Sequence, residues 1–175
     1  SVNEQVVHGI PGDRVLEPGD IVSIDAGAQF AGWNGDSALT VVIPDASRPE
    51  VGAERERLSE VTHGSLWAGI ARLATASHLG EVGAAIQEHI ESQGTYGILR
   101  DYVGHGIGRK MHEPPTVFNY ATGEREADVR PGLEHHGDAG EHVHGAVLLH
   151  IAAGLDHDAA PVAADRAAGA DVDVA

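Results

Sequence analysis

Between Gly104 and Pro115 three glycines alternate along the chain, Gly104, Gly106 and Gly108, and the segment closes on Pro114-Pro115. Alternating glycine lets a backbone run close to another strand or to a ligand. The proline pair ends whatever element precedes it. Tyr102-Val103-Gly104-His105 therefore reads as extended. Upstream, Ile21 to Ala26 is β-like behind the turn signal Glu17-Pro18-Gly19-Asp20, and Ser37 to Ile43 is a second strand rich in β-branched residues. Gly32-Trp33-Asn34-Gly35 between them reads as the hairpin turn. Pro49 to about Leu73 is predicted as a helix, because Leu58, Val61, Ser65, Leu66, Gly69, Ile70 and Leu73 follow helical spacing. Glu54-Arg55-Glu56-Arg57 forms its charged side. A second helix is predicted from about Leu79 to Ser92, with Ser77 as N-cap and Gly94 as stop. The order strand, strand, helix, helix, strand predicts an α+β fold with an antiparallel sheet.

The chain has 175 residues, enough for one domain with a core. Its formal net charge of −16 argues against nucleic acid and against an anionic membrane surface as partners. With no cysteine there is no disulfide and no thiolate zinc site. No apolar run is long enough to span a bilayer and no signal peptide is recognisable. The expectation is a soluble cytoplasmic monomer. From about Glu134 the composition changes to mostly Ala, Asp, Gly, His and Val, and six of the twelve histidines lie there. Such biased composition rarely builds a packed core, so 134–175 is expected to be an irregular tail behind a domain at 1–133. It also matches what an out-of-frame reading of GC-rich DNA would give.

The glycine-rich segment carries His105 and His112, seven residues apart. Neutral imidazole is the commonest side-chain metal ligand. Asp25 in Ile24-Asp25-Ala26-Gly27 and Asp36 in Asn34-Gly35-Asp36 add carboxylates. Two carboxylates and a histidine begin a site for Mn²⁺, Fe²⁺, Co²⁺ or Zn²⁺. On an antiparallel pair Asp25 and Asp36 approach each other only if their side chains share a face; the sequence leaves the register open. Taken singly, each is also an ordinary turn carboxylate, and Trp33 an ordinary loop aromatic.

Val7-His8-Gly9-Ile10-Pro11, Ile24-Asp25-Ala26-Gly27, Asn34-Gly35-Asp36, and Gly104-His105-Gly106-Ile107-Gly108 with Met111-His112-Glu113-Pro114-Pro115 occur in that order. Together they resemble a type I methionine aminopeptidase of the pita-bread metallopeptidase family, over roughly Ser1 to Leu133. The resemblance implies that Asp25 chelates one metal, Asp36 bridges two, and His105 is the single histidine ligand. It implies that His8 and His112 hold the substrate amide and assist proton movement, and that Met111 walls the methionine pocket. The implied cofactor is a pair of divalent ions (Co, Mn, Fe or Zn), about 3.5–4 Å apart, that activate a bridging water. The implied substrates are N-termini of nascent polypeptides, met at the ribosome.

The pattern departs from the family at both ends. Family members carry several tens of residues before the position of Ser1. After Leu133 the expected Ile-Glu-Pro strand is absent, and neither Glu134 nor Glu141-His142-Val143 takes its place. Three of five expected ligands are present, so the chain as written is expected to have little or no peptidase activity. Two rival readings remain: a proline-directed pita-bread peptidase (aminopeptidase P or prolidase), and an inactive pseudo-peptidase fragment. The short spacing from the Asp pair to Gly104-His105, and Met-His-Glu-Pro-Pro after it, favour the methionine enzyme over the first.

Overall fold

The computed structural model describes residues 1–130 and, beyond them, the backbone of two short strands at Ala146–Leu148 and Ala153–Gly154. Apart from those strands, the expected irregular tail, with Glu134 and Glu141-His142-Val143, lies outside the described residues. Two long strands, β1 (Ile21–Phe30) and β2 (Trp33–Val42), form an antiparallel hairpin. Helices α1 (Pro49–Leu73) and α2 (Leu79–Gln93) follow and pack against each other. The chain then returns through β3 (Gly97–Ile98), β4 (Gly104–Ile107) and β5 (Glu113–Val117). Strand β4 sits between β5 and β6 (Ala146–Leu148), and β3 pairs with β7 (Ala153–Gly154). The sequence predicts an α+β fold with an antiparallel sheet; among the described residues the strands form three small antiparallel sheets in an α+β arrangement. Among the described residues no helix is long and apolar enough to cross a membrane.

The helices begin and end for local reasons. Pro49 occupies the first turn of α1, where its missing N–H costs nothing, and Glu50 complements the helix dipole. Gly94 ends α2 with φ of 144°, a backbone that L side chains rarely adopt. The expected cap of α2 is off by one residue: His78, not Ser77, is the N-cap. No side chain caps the first helical N–H groups. Glu81, at the third helical position, reaches back and accepts the Ser77 N–H at 2.9 Å, the carboxylate half of a capping box, while Leu79 N–H bonds to Ala127 O at 2.8 Å.

The core lies between the helices and β5. Val61 of α1, Leu79, Val82, Ile86 and Ile90 of α2, and Val117 of β5 are buried, with Leu73, Tyr96, Ile98 and Val129 packed around them. The buried stripe of α1 is Val61, Ser65 and Gly69 instead of its larger apolar residues, and Ile70 is exposed. Small residues at the crossing let the two helices approach closely. Ser65 tolerates burial because its hydroxyl donates to Thr62 O at 2.7 Å. Among the described residues the β1–β2 hairpin adds no buried side chain to this core: Ile24, Leu39, Val41 and Phe30 are all exposed.

Ile86 has no exposed surface. Ile86→Ala is expected to destabilise the chain by about 3 kcal/mol, the usual cost of a large-to-small core change. Urea unfolding followed by circular dichroism checks this.

Candidate metal centre

The ladder register answers the question that the sequence leaves open. Asp25 lies opposite Ala38, and Asp36 lies opposite Gly27. Directly opposed residues share a face, and so do residues two apart on one strand. Asp25 and Asp36 are therefore diagonal neighbours on the same face of the hairpin. This register depends on where the chain turns. The loop is Ala31-Gly32, with φ of 49° and 77°, and Phe30 pairs with Trp33. Positive φ at both loop residues marks the two-residue turn that matches strand twist. The expected turn at Gly32–Gly35 is thus misplaced: Trp33, Asn34 and Gly35 belong to β2, and Asp36 sits inside the ladder.

His8 arrives from the N-terminal segment, which is laid along β1. Asn3 N–H donates to Ile21 O at 2.9 Å, and Ile21 N–H donates back to Asn3 Oδ1 at 3.1 Å. Ser23 N–H bonds to Ser1 O at 2.9 Å, and Gly9 N–H to the Ser1 hydroxyl at 2.9 Å. Asn3 Nδ2 also donates to Asp20 Oδ1 at 2.8 Å. The Asp20 carboxyl is held below its ordinary range, first by the Glu17 N–H it accepts and then by Asn3. So braced, His8 brings Nδ1 to 3.4 Å from Asp25 Oδ2, with most of its ring exposed.

His105 comes from β4, opposite Thr116 of β5. The pairing slips between His105 and Gly106, which is a β-bulge. Bulges re-aim side chains, and this one needs glycine: a Cβ on Gly106 would collide with Pro114 O. His105 Nδ1 lies 2.9 Å from Gly106 O, and a carbonyl only accepts, so Nδ1 carries the proton. Nε2 faces Asp36 Oδ2 at 3.8 Å. The His112 ring is 4.4 Å from the His105 ring, and the Met111 methyl packs over Gly27.

These side chains line one open cavity of about 530 Å³, together with Asp101, Tyr102 and Thr116. All six residues expected at the site are present in it: His8, Asp25, Asp36, His105, Met111 and His112. Among the described residues no three His, Asp or Glu side chains converge into a ready three-donor cluster. The donor chemistry nevertheless fits a divalent ion: two carboxylates on one face, and an imidazole whose Nδ1–H is already committed to a carbonyl, the arrangement that fixes metal-ligating histidines. Sequence reasoning missed two supports of the site. One is the Asn3–Asp20 brace. The other is Asn34, whose N–H and side-chain amide both bond Gly108 O, at 2.8 and 3.0 Å. Single polar residues that bond a distant segment carry no periodic signal that would flag them.

Residues 1–138 match metallopeptidase family M24, and the chain belongs to that family. Methionine aminopeptidase 1 of Bacillus subtilis (strain 168) is 40% identical over 133 residues, which are 76% of this chain and 51% of that protein. The crystal structure of methionine aminopeptidase from Rickettsia prowazekii aligns with a TM-score of 0.64 and 37% identity, covering 74% of this chain and 50% of that one. Prolidase from Pyrococcus horikoshii aligns with a TM-score of 0.52 and 26% identity over 71% of this chain and 33% of that one. The pita-bread fold implied by the sequence motifs is the fold of these neighbours, present here in part. The chain spans about half the length of the curated relatives it matches.

The depressed Asp20 gives a pH test. A carboxyl whose folded pKa lies below its unfolded value of about 3.9 adds stability above that pH and loses it as the pH falls toward the folded value. Thermal melts of wild type are expected to lose stability below about pH 4, and Asp20→Asn to show less of that loss. Identical acid profiles would remove Asp20 from the brace.

Proposed function

We propose that this chain carries the substrate-facing part of a methionine aminopeptidase site, which removes the N-terminal methionine from nascent polypeptides. One observation carries the reading: the register puts Asp25 and Asp36 on one face, and His105 and His8 meet those two carboxylates across a single cavity. Membership in a metallopeptidase family supports it. Asp25, Asp36 and the Nε2 of His105 would hold the metal, as two divalent ions of the Co, Mn, Fe or Zn type. When bound, such ions polarise a scissile carbonyl and supply a nucleophilic water at neutral pH.

The chain's own residues do the rest. Asp25 fixes the Nδ1 side of His8, which leaves Nε2 for the substrate amide. His112, exposed beside His105, is placed to hold the same amide and move a proton at its nitrogen. The Met111 thioether, seated over Gly27, offers a soft, adaptable wall for a methionine side chain. The substrates are N-termini of new chains, reached at the ribosome by a cytoplasmic monomer. Residues 1–133 form the partial peptidase domain, with 134–175 as an appended tail.

Two further ligands implied by the family motif have no counterpart in the sequence, so metal binding is expected to outlast catalysis. Calorimetry with Mn²⁺ or Co²⁺ should show saturable uptake by wild type. Asp36→Ala should weaken it by more than the roughly 10–100-fold that losing an outer-sphere partner costs. Methionine release from a Met-Ala peptide should be slight, and release from an Xaa-Pro peptide slighter still. Uptake unchanged in Asp36→Ala refutes the site. Preference for Xaa-Pro favours the prolidase-like reading, and no metal uptake at all favours the inactive remnant.

A further inference from the structure

The hairpin that bears both carboxylates lies outside the hydrophobic core, so something else must fix it against the strand that bears His105. Two side chains and one backbone amide hydrogen-bond the hairpin to the β4–β5 segment. Asn34 gives its N–H and its Nδ2–H to Gly108 O. Arg109 donates from one guanidinium nitrogen to Ala31 O at 3.2 Å and Gly32 O at 3.3 Å. The same guanidinium lies 3.7 Å over the Trp33 ring. A guanidinium that stacks on an indole while donating in its own plane is held in two directions at once.

The geometry of this clamp bears on the cavity. Asn34 and Asp36 are two residues apart on β2 and share a face. Gly108 follows His105 by three residues. Joining Asn34 to Gly108 therefore joins the two segments at a point two residues from Asp36 and three from His105. We infer that Asn34 and Arg109 are positioning residues that set the 3.8 Å separation of His105 Nε2 and Asp36 Oδ2, and that they thereby tune the affinity of the cavity for a divalent cation. This inference rests on the metal-centre reading given above. Neither residue touches metal or substrate; each acts through the backbone of the opposite segment. Arg109 is exposed, so its contribution is separable from folding.

The test is a Co²⁺ titration of the full 175-residue chain, read by calorimetry and by the visible d–d absorption of the bound ion. Asn34→Ala and Arg109→Met should each bind Co²⁺ about tenfold more weakly, with an altered absorption band, as loss of an outer-sphere support does. Their thermal melts should stay close to wild type. Arg109→Lys, which keeps a cation over Trp33, should bind more tightly than Arg109→Met. Wild-type affinity and spectrum in both Asn34→Ala and Arg109→Met overturn the inference and leave the metal reading standing. Loss of affinity in Asn34→Ala that comes with loss of fold, while Arg109→Met behaves as wild type, overturns it as well. A wild-type chain that takes up no Co²⁺ overturns the metal reading itself and this inference with it.

Discussion

The site depends on the register of one hairpin. Because side chains alternate along a strand, a slip of one residue between β1 and β2 would send Asp36 to the opposite face from Asp25. The two-residue loop at Ala31-Gly32 prevents that slip, since positive φ at both positions suits a single turn geometry. The loop is in turn held from outside by Arg109. Register, turn and clamp form one chain of cause: each fixes the next, and the last fixes which way two carboxylates point.

Stability and site geometry are maintained by different forces in this molecule. The helices and β5 share a buried apolar core that holds the fold. The hairpin, the N-terminal segment and the loop after β4 are joined mainly by hydrogen bonds, several of them made by the side chains of Asn3, Asp20, Asn34 and Arg109. Hydrogen bonds contribute modestly to stability but are directional. A cavity that must place imidazole nitrogens against carboxylate oxygens needs direction more than it needs buried area. The bulge at Gly106 follows the same logic, exchanging a regular ladder for an aimed histidine.

Much of this was legible in the sequence. The bounds of α1 and the stop of α2 at Gly94 follow from Pro49, the apolar spacing and the glycine. The six candidate residues could be named because four motifs occur in order, and the fold brings all six to the lining of one cavity. The rest was hidden for physical reasons. In the sequence Gly32 and Gly35 both look like loop residues, and only the positive φ of Ala31 and Gly32 shows which pair turns. Ser77 has the hydroxyl of a good cap, but the helix starts one residue later behind His78, and Ser77 contributes its N–H to Glu81 instead. The burial of Ser65 and Gly69 in place of Ile70 reflects how closely two helices cross, which no single-helix pattern encodes. Asn34 and Arg109 each act on a partner more than seventy residues away in sequence, at Gly108 and at the Ala31-Gly32 loop.

Crystals of the chain grown with Mn²⁺ and measured at the manganese absorption edge would test the shared cavity most directly. The expected result is an anomalous peak within coordination reach of the Asp25 and Asp36 carboxylates and the Nε2 of His105. A peak bound only elsewhere, or none at saturating Mn²⁺, would contradict it.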